Sequence, residues 1–290
     1  MRYQQQQLRN APLVPVDIGS ANPLPGRTLP NETFVARAEH SDVHNHLGSE
    51  RQYDRAGIGV VMSGLLDYQG QIGTATLVPG TVVFGNAEEH FRVHHIDTDK
   101  IQRLVVWYDH ALLEEVASAY GCAVPRFQVV SLPPGKAAAF IYTRMQALAR
   151  GCANPLEAAG DLAVMGLTLA ADERQNVTVS RRDRKRILAV VDYIEHSFSE
   201  PCTVEMLASM SGASRFHFMR LFKTVIGLSP NQYVINARLR AAATRIIGCK
   251  APVSEIALEC GFNDISHFNT TFRAMFGCTP RQMRGMSGTA

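Results

Sequence analysis

The sequence predicts an α+β protein of two domains: a β-rich first half ending in apolar helices, and an all-α second half. Three observations carry this. Short runs of β-branched and aromatic residues, punctuated by Gly, Pro or Asn about every ten residues, fill 33–107. After Asp109 the apolar spacing becomes helical. Beyond Thr203 the chain repeats itself.

Residues 1–30 are rich in Gln, Pro and Asn, as expected of an extended lead-in. Candidate strands follow. Ile58, Val60 and Val61 run into Ser63-Gly64, and Leu66-Asp67-Tyr68 runs into a turn expected at Gln69-Gly70. Ala75–Val78 precedes Pro79-Gly80, Thr81–Phe84 precedes Gly85-Asn86, and Leu104–Tyr108 closes the series. Such strands suggest a sandwich or a barrel. Leu112, Leu113, Val116 and Ala117 then share a helical face. Pro134–Arg150 brings Phe140, Met145 and Leu148, and Leu156–Ala171 brings Leu162, Met165 and Leu169. These helices lack a polar constellation and suit core packing or a dimer interface. The polar stretch Ala171–Ser180 gives the division: a first domain over 1–172, a linker over 173–179 and a second domain over 180–290.

The composition, 46% apolar and 19% charged, is that of a soluble globular protein. The longest nearly apolar runs, Gly57–Leu66 and Leu162–Ala171, are about ten residues, too short to span a bilayer. Met1–Asn10 has no apolar stretch of the secretory kind, so a cytoplasmic protein with no membrane partner is expected. Cysteines 122, 152, 202, 249, 260 and 278 make no C-x-x-C pair, and reduced, mostly buried thiols are expected. No Ser/His/Asp set, phosphate loop or paired carboxylates argue for an enzyme. The net charge of +3 is divided: 15 Lys+Arg against 8 Asp+Glu from Ser180 onward, but 14 against 18 before it. A basic half beside an acidic half points to a nucleic-acid partner.

The repeat is the most informative feature. Val204-Glu205-Met206-Leu207-Ala208…Gly212 realigns on Val253-Ser254-Glu255-Ile256-Ala257…Gly261 at an offset of 49. His217-Phe218…Phe222-Lys223…Gly227…Ser229-Pro230 realigns on His267-Phe268…Phe272-Arg273…Gly277…Thr279-Pro280 at an offset of 50. One residue is therefore inserted in the second copy's turn. Each copy has what a helix-turn-helix needs. Ala208 or Ala257 permits close helix approach, and Gly212 or Gly261 serves a turn with positive φ. Ser214, and Asp264 or Asn263, are candidate caps for the second helix. That helix buries Phe218, Leu221, Phe222 and Val225 in copy one, and Phe268, Phe272 and Met275 in copy two.

The opposite faces supply the candidate DNA-binding residues. Copy one offers Arg215, Phe216, His217, Met219, Arg220 and Lys223; copy two offers Ile265, Ser266, His267, Asn269, Thr270 and Arg273. Arg pairs bidentately with guanine in the major groove, Asn reads adenine, and apolar side chains meet thymine methyls. The structural alternative for Phe216 and Met219 is packing against another part of the chain.

Residues Thr203–Arg284 resemble the DNA-binding domain of the AraC/XylS family of regulators. The resemblance runs through Leu207-Ala208, Gly212, Ser214, Phe218…Arg220…Phe222-Lys223, Gly227, Ser229-Pro230, Tyr233, Arg238-Leu239…Ala241, Ile256-Ala257, Gly261-Phe262, Ser266-His267-Phe268, Phe272-Arg273, Gly277 and Thr279-Pro280…Arg284. It implies two helix-turn-helix units on one linker helix, here about Pro230–Ile247, entering successive major-groove segments on one face of double-stranded DNA. The chain departs from the pattern at Thr270, where many members carry arginine, and at Met283, where an aromatic is usual.

The resemblance further implies an N-terminal cupin-like β-barrel that binds a small-molecule effector, followed by helices that make a homodimer. Leu77–Gly80 and Gly85–His90 are similar to turns of such barrels. RNA polymerase is a candidate further partner. His44-Asn45-His46…Glu50…Gly57 has the spacing of a cupin metal motif, and two imidazoles with a carboxylate suit a divalent metal. Against this, the strand at Val60–Gly64 lies too far downstream, and Val83 falls where the second motif needs histidine, although His90, His94 and His95 are near. No metal and no other cofactor is expected. The alternatives are a metal-dependent cupin enzyme fused to a DNA-binding module, and a regulator without an effector.

Overall fold

The computed structural model describes residues 34–42, 50–96, 100–149, 155–169 and 179–286. His44 and His46, and all of the expected linker but residue 179, lie outside them. The N-terminal half is β-rich and the C-terminal half helical. The described strands form two antiparallel sheets. One has the spatial order β1 (Phe34–Asp42), β8 (Lys100–Tyr108), β3 (Ala56–Ser63), β6 (Val82–Gly85), β9 (Ser131–Leu132). The other has β2 (Arg51–Gln52), β7 (His90–His95), β4 (Leu66–Gly70), β5 (Gly73–Leu77).

Alternation along the strands sends side chains to two cores. Ile58, Val60, Val82, Phe84, Leu104, Val106 and Tyr108 pack under helices α1 (His110–Ala119), α2 (Lys136–Ala149) and α3 (Pro155–Thr168). Val61, Val83 and Ile101 face Leu66, Tyr68, Leu77 and Phe91 of the other sheet. The space between the sheets is occupied by rings. Tyr53 stacks on Phe91 with centroids 4.1 Å apart, Phe91 lies 5.7 Å from Tyr68, and Trp107 lies 5.8 Å from Tyr53. Gly57 and Gly85 pair across the ladder, and a Cβ on either would run into Trp107 or Tyr53.

Two local expectations change. The hairpin turn sits at Gln71-Ile72 rather than Gln69-Gly70, since Gly70 is paired with Gly73. The cause is the buried Glu89 carboxylate, which accepts from Gln71 N–H (3.1 Å) and Ile72 N–H (3.3 Å) on one oxygen and from Asn86 on the other. Strands β1, β2, β7 and β9 lie outside the expected series. The Pro79-Gly80 turn stands as read, with Gly80 at φ 87° and Thr81 N–H donating to Val78 O at 2.9 Å.

The C-terminal half comprises α4 (Arg181–Ser197), α5 (Val204–Ser211), α6 (Arg215–Ile226), α7 (Pro230–Gly248), α8 (Val253–Glu259), α9 (Ile265–Phe276) and α10 (Pro280–Met286). It is docked on the β-rich half. Leu65 and Val78 are buried in one cluster with Ile187, Val191, Phe222 and Tyr233. Arg184 pairs with Asp67 at 3.2 Å, Asn236 Nδ2 donates to Pro134 O at 2.7 Å, and the Tyr142 and Thr244 hydroxyls meet at 3.2 Å. Helix α2, expected to pack in its own core or at a dimer interface, also packs on α9.

Beneath the Gly80 turn lies Arg240 of α7, bonded to Glu195 of α4 at 2.5 Å. The Tyr233 hydroxyl donates to the same carboxylate at 2.7 Å. Burial pushes that hydroxyl's pKa well up, and Glu195 adds to the effect. For Arg240 burial acts downward, but Glu195 and Tyr233 outweigh it and hold the guanidinium charged.

Candidate nucleic-acid interface

The repeat folds as two helix-turn-helix units, α5–α6 and α8–α9, joined by α7. Thr203 caps α5 by accepting from Met206 N–H at 3.3 Å. Ala208 and Ala257 are buried where the helices cross, and Gly212 (φ 64°) and Gly261 (φ 88°) take the left-handed turn. The inserted residue falls between Gly261 and the cap Asp264, whose carboxylate accepts from Ser266 N–H (2.7 Å) and His267 N–H (3.3 Å). Ser214 occupies the same position on α6 without a side-chain capping bond. The chain opens α7 with a capping box between Ser229 and Gln232, and Thr279 and Gln282 repeat it at α10.

The apolar stripes lie inward. Phe218 and Phe222, and Phe268, Phe272 and Met275, are buried; Leu221 and Val225 are half-buried, and Ile226 completes the first stripe. On the outer face of α6, Arg215, Phe216, His217, Arg220 and Lys223 are exposed, Phe216 to 79%. Met219 is half-buried against the first unit's core, so the packing alternative holds for it and not for Phe216. On α9, Ile265, Ser266, His267, Asn269, Thr270 and Arg273 are all exposed.

The charges differ between the faces. Arg215 pairs with Glu205 of α5 at 3.0 Å, while Arg220 donates to His217 Nδ1 at 3.4 Å. The Thr270 hydroxyl turns back to donate to Ser266 O at 2.9 Å, leaving it only acceptor capacity outward.

Two arginines of the basic half serve the fold instead. Arg238 on α7 donates to Phe198 O (2.7 Å), Gly261 O (2.8 Å) and Glu200 O (3.0 Å), clipping the second unit's turn to the loop before the first unit. Arg284 donates to Ala251 O at 2.7 Å. Neither role was readable from composition. Of the cysteines expected to be mostly buried, Cys260 is buried, Cys122, Cys202 and Cys278 are partly so, Cys249 is exposed, and Cys152 lies outside the described residues.

Glu50, from the candidate metal motif, pairs with Arg92 at 3.3 Å. Among the described residues no cluster of three His, Cys, Asp or Glu side chains forms a metal site, and no helix is long and apolar enough to cross a membrane.

Residues 207–286 match the family model described as a helix-turn-helix domain. The chain is 33% identical over 98 residues to the probable transcriptional regulator LumQ of Photobacterium leiognathi, covering 34% of this chain and 40% of that one. It is 30% identical over 116 residues to the HTH-type transcriptional regulator ArgR of Pseudomonas aeruginosa, covering 39% of this chain and 35% of that one. The matched segments thus span less than half the length of these relatives. A solved transcriptional regulator with an AraC-type DNA-binding domain, from Chromobacterium violaceum, is 29% identical with a TM-score of 0.35, over 38% of this chain and 98% of that one.

Proposed function

We infer that this chain, which through its C-terminal domain belongs to the AraC/XylS family of transcription regulators, binds duplex DNA sequence-specifically through α6 and α9 together. The observation that carries this is the pair of recognition helices, each burying its apolar stripe and presenting Arg, His and hydroxyl side chains to solvent, with Asn269 added on α9. Helix α7 and the Arg238 clip hold the two units in one arrangement. Arg215, Phe216, His217, Arg220 and Lys223 are the contacts assigned to the first unit, with Met219 beside them. Ile265, Ser266, His267, Asn269, Thr270 and Arg273 are those of the second. The DNA-binding domain is taken as 180–290, and the regulatory domain as 1–172.

The regulatory domain is read as a cupin-like double sheet that controls the DNA-binding units, acting as a homodimer in the cytoplasm and at promoters with RNA polymerase. Its docking supports a control role: the Val78–Thr81 turn reaches the first unit's core, and α2 reaches α9 of the second. A small-molecule effector is the leading control signal. The aromatic filling between the sheets favours a second reading, control by a protein partner or by abundance, because a ligand entering there must displace Tyr53, Phe91 or Trp107.

The test is selection of duplexes from a random library, followed by affinity measurements across salt concentrations. Each phosphate neutralised adds about −0.9 to the log–log salt slope. An enriched sequence bound with a slope of several units supports the reading; no enrichment and a slope near zero refute it.

A further inference from the structure

We propose that Glu205 is a positioning residue for Arg215, and that through it Glu205 sets how well the first unit separates its operator from other DNA. The proposal rests on the reading that α6 enters the major groove.

Glu205 stands in the first turn of α5, and Arg215 is the first residue of α6. Their side chains meet at 3.0 Å although both are largely exposed, 63% and 58%. An ion pair so exposed contributes little to folding, because solvent screens it and two long side chains must be ordered to hold it. Its location matters more. It lies on the face that carries Phe216, Arg220 and Lys223, where a carboxylate opposes the phosphates of any duplex that approaches. A surface selected only for tight binding to DNA would have no use for that charge there.

Glu205 holds Arg215 through Nη1. Bidentate pairing with guanine O6 and N7 needs only two of the five guanidinium donors. Arg215 can therefore keep Glu205 and still read a base, whereas swinging out to a phosphate breaks the pair. The carboxylate thus favours base contact over backbone contact by the same arginine. The second unit has no counterpart: Ser254 and Ile265 occupy the equivalent positions. Discrimination by this device belongs to the first unit alone.

The test uses the full chain with Glu205→Ala, Glu205→Gln, Arg215→Ala and Glu205→Ala/Arg215→Ala. Each is measured against a selected duplex and a scrambled one over a range of salt, together with its melting temperature. Glu205→Ala should reduce the ratio of selected to scrambled affinity about tenfold, within the range of one bidentate base contact. On the scrambled duplex its salt slope should steepen by about 0.9, as Arg215 gains a phosphate. Glu205→Gln, which keeps an acceptor, should fall between. In the Arg215→Ala background the ratio should no longer respond to Glu205→Ala.

If Glu205→Ala raises both affinities equally, or acts alike with and without Arg215, the carboxylate merely repels DNA and the positioning role is overturned. A lower melting temperature with an unchanged ratio also overturns it. If Arg215→Ala itself leaves the ratio unchanged, the assignment of Arg215 to the groove fails, and this proposal with it.

Discussion

Replacing Arg240 with methionine should destabilise the protein by about 3 kcal/mol. Arg240 and Glu195 are 13% and 22% exposed and bonded at 2.5 Å, and Tyr233 donates to the same carboxylate. Removing one partner of a buried ion pair costs about 3–5 kcal/mol, because the other charge stays buried without its counterpart. Glu195 keeps some solvent and the Tyr233 hydroxyl, which places the loss at the low end. For a cooperative unit of about 150–250 residues, 1 kcal/mol shifts Tm by about 2–4 °C, so Arg240→Met should melt about 6–12 °C lower. The double variant Glu195→Gln/Arg240→Met removes both charges, keeps an acceptor for the Tyr233 hydroxyl and should recover to within about 1 kcal/mol of the parent. Because Arg240 lies beneath the Gly80 turn, the single variant should also speed proteolytic separation of the two halves. Thermal unfolding of the parent and the two variants measures this. A single variant melting within about 2 °C of the parent, or a double variant no better than the single, would refute the reasoning.

The two recognition helices should respond unequally to loss of their caps. Asp264→Ala removes a carboxylate that accepts two backbone N–H groups and should cost about 1 kcal/mol, whereas Ser214→Ala should cost a few tenths, both read by urea unfolding. Arg220→Ala should weaken operator binding by about 1–3 kcal/mol and relax one position, and Thr270→Ala should do less; equal losses in anisotropy titrations would contradict this. Burial pushes the Cys260 thiol up to about 11, whereas Cys249 is exposed, so alkylation at pH 8 should label Cys249 quickly and Cys260 slowly by mass spectrometry. The raised thiol also sets a sign: its contribution to stability is whole below the ordinary value near 9 and is lost as pH rises through 11.

The DNA-binding half was legible because its determinants are local and written twice. Ala208 and Ala257, Gly212 and Gly261, and the Phe218–Phe222 and Phe268–Phe272 pairs each declare a geometric need within a few residues. The inserted residue before Asp264 was countable from the change of offset alone. Misreadings occurred where a distant group decides. The hairpin moved to Gln71-Ile72 because Glu89, 17 and 18 residues on, caps those amides. Strand β7 alternates His90, Phe91, Arg92, Val93 and His94, a period of two, but only Phe91 and Val93 are apolar, which is too short a pattern to declare a strand. The docking of the halves was hidden altogether. Leu65 and Val78 look like ordinary strand-end residues, and Arg238, Arg240 and Arg284 look like further basic contacts until their carbonyl and carboxylate partners are seen.

Chemical interference footprinting of the full chain on a duplex selected from a random library tests the central claim most directly. Two helix-turn-helix units held by α7 and Arg238 should protect two major-groove segments on one face, their centres one helical turn or about 10 base pairs apart. Arg220→Ala should weaken one segment and Asn269→Ala the other. A single protected segment that both substitutions affect alike, or protection confined to the minor groove, would contradict the account.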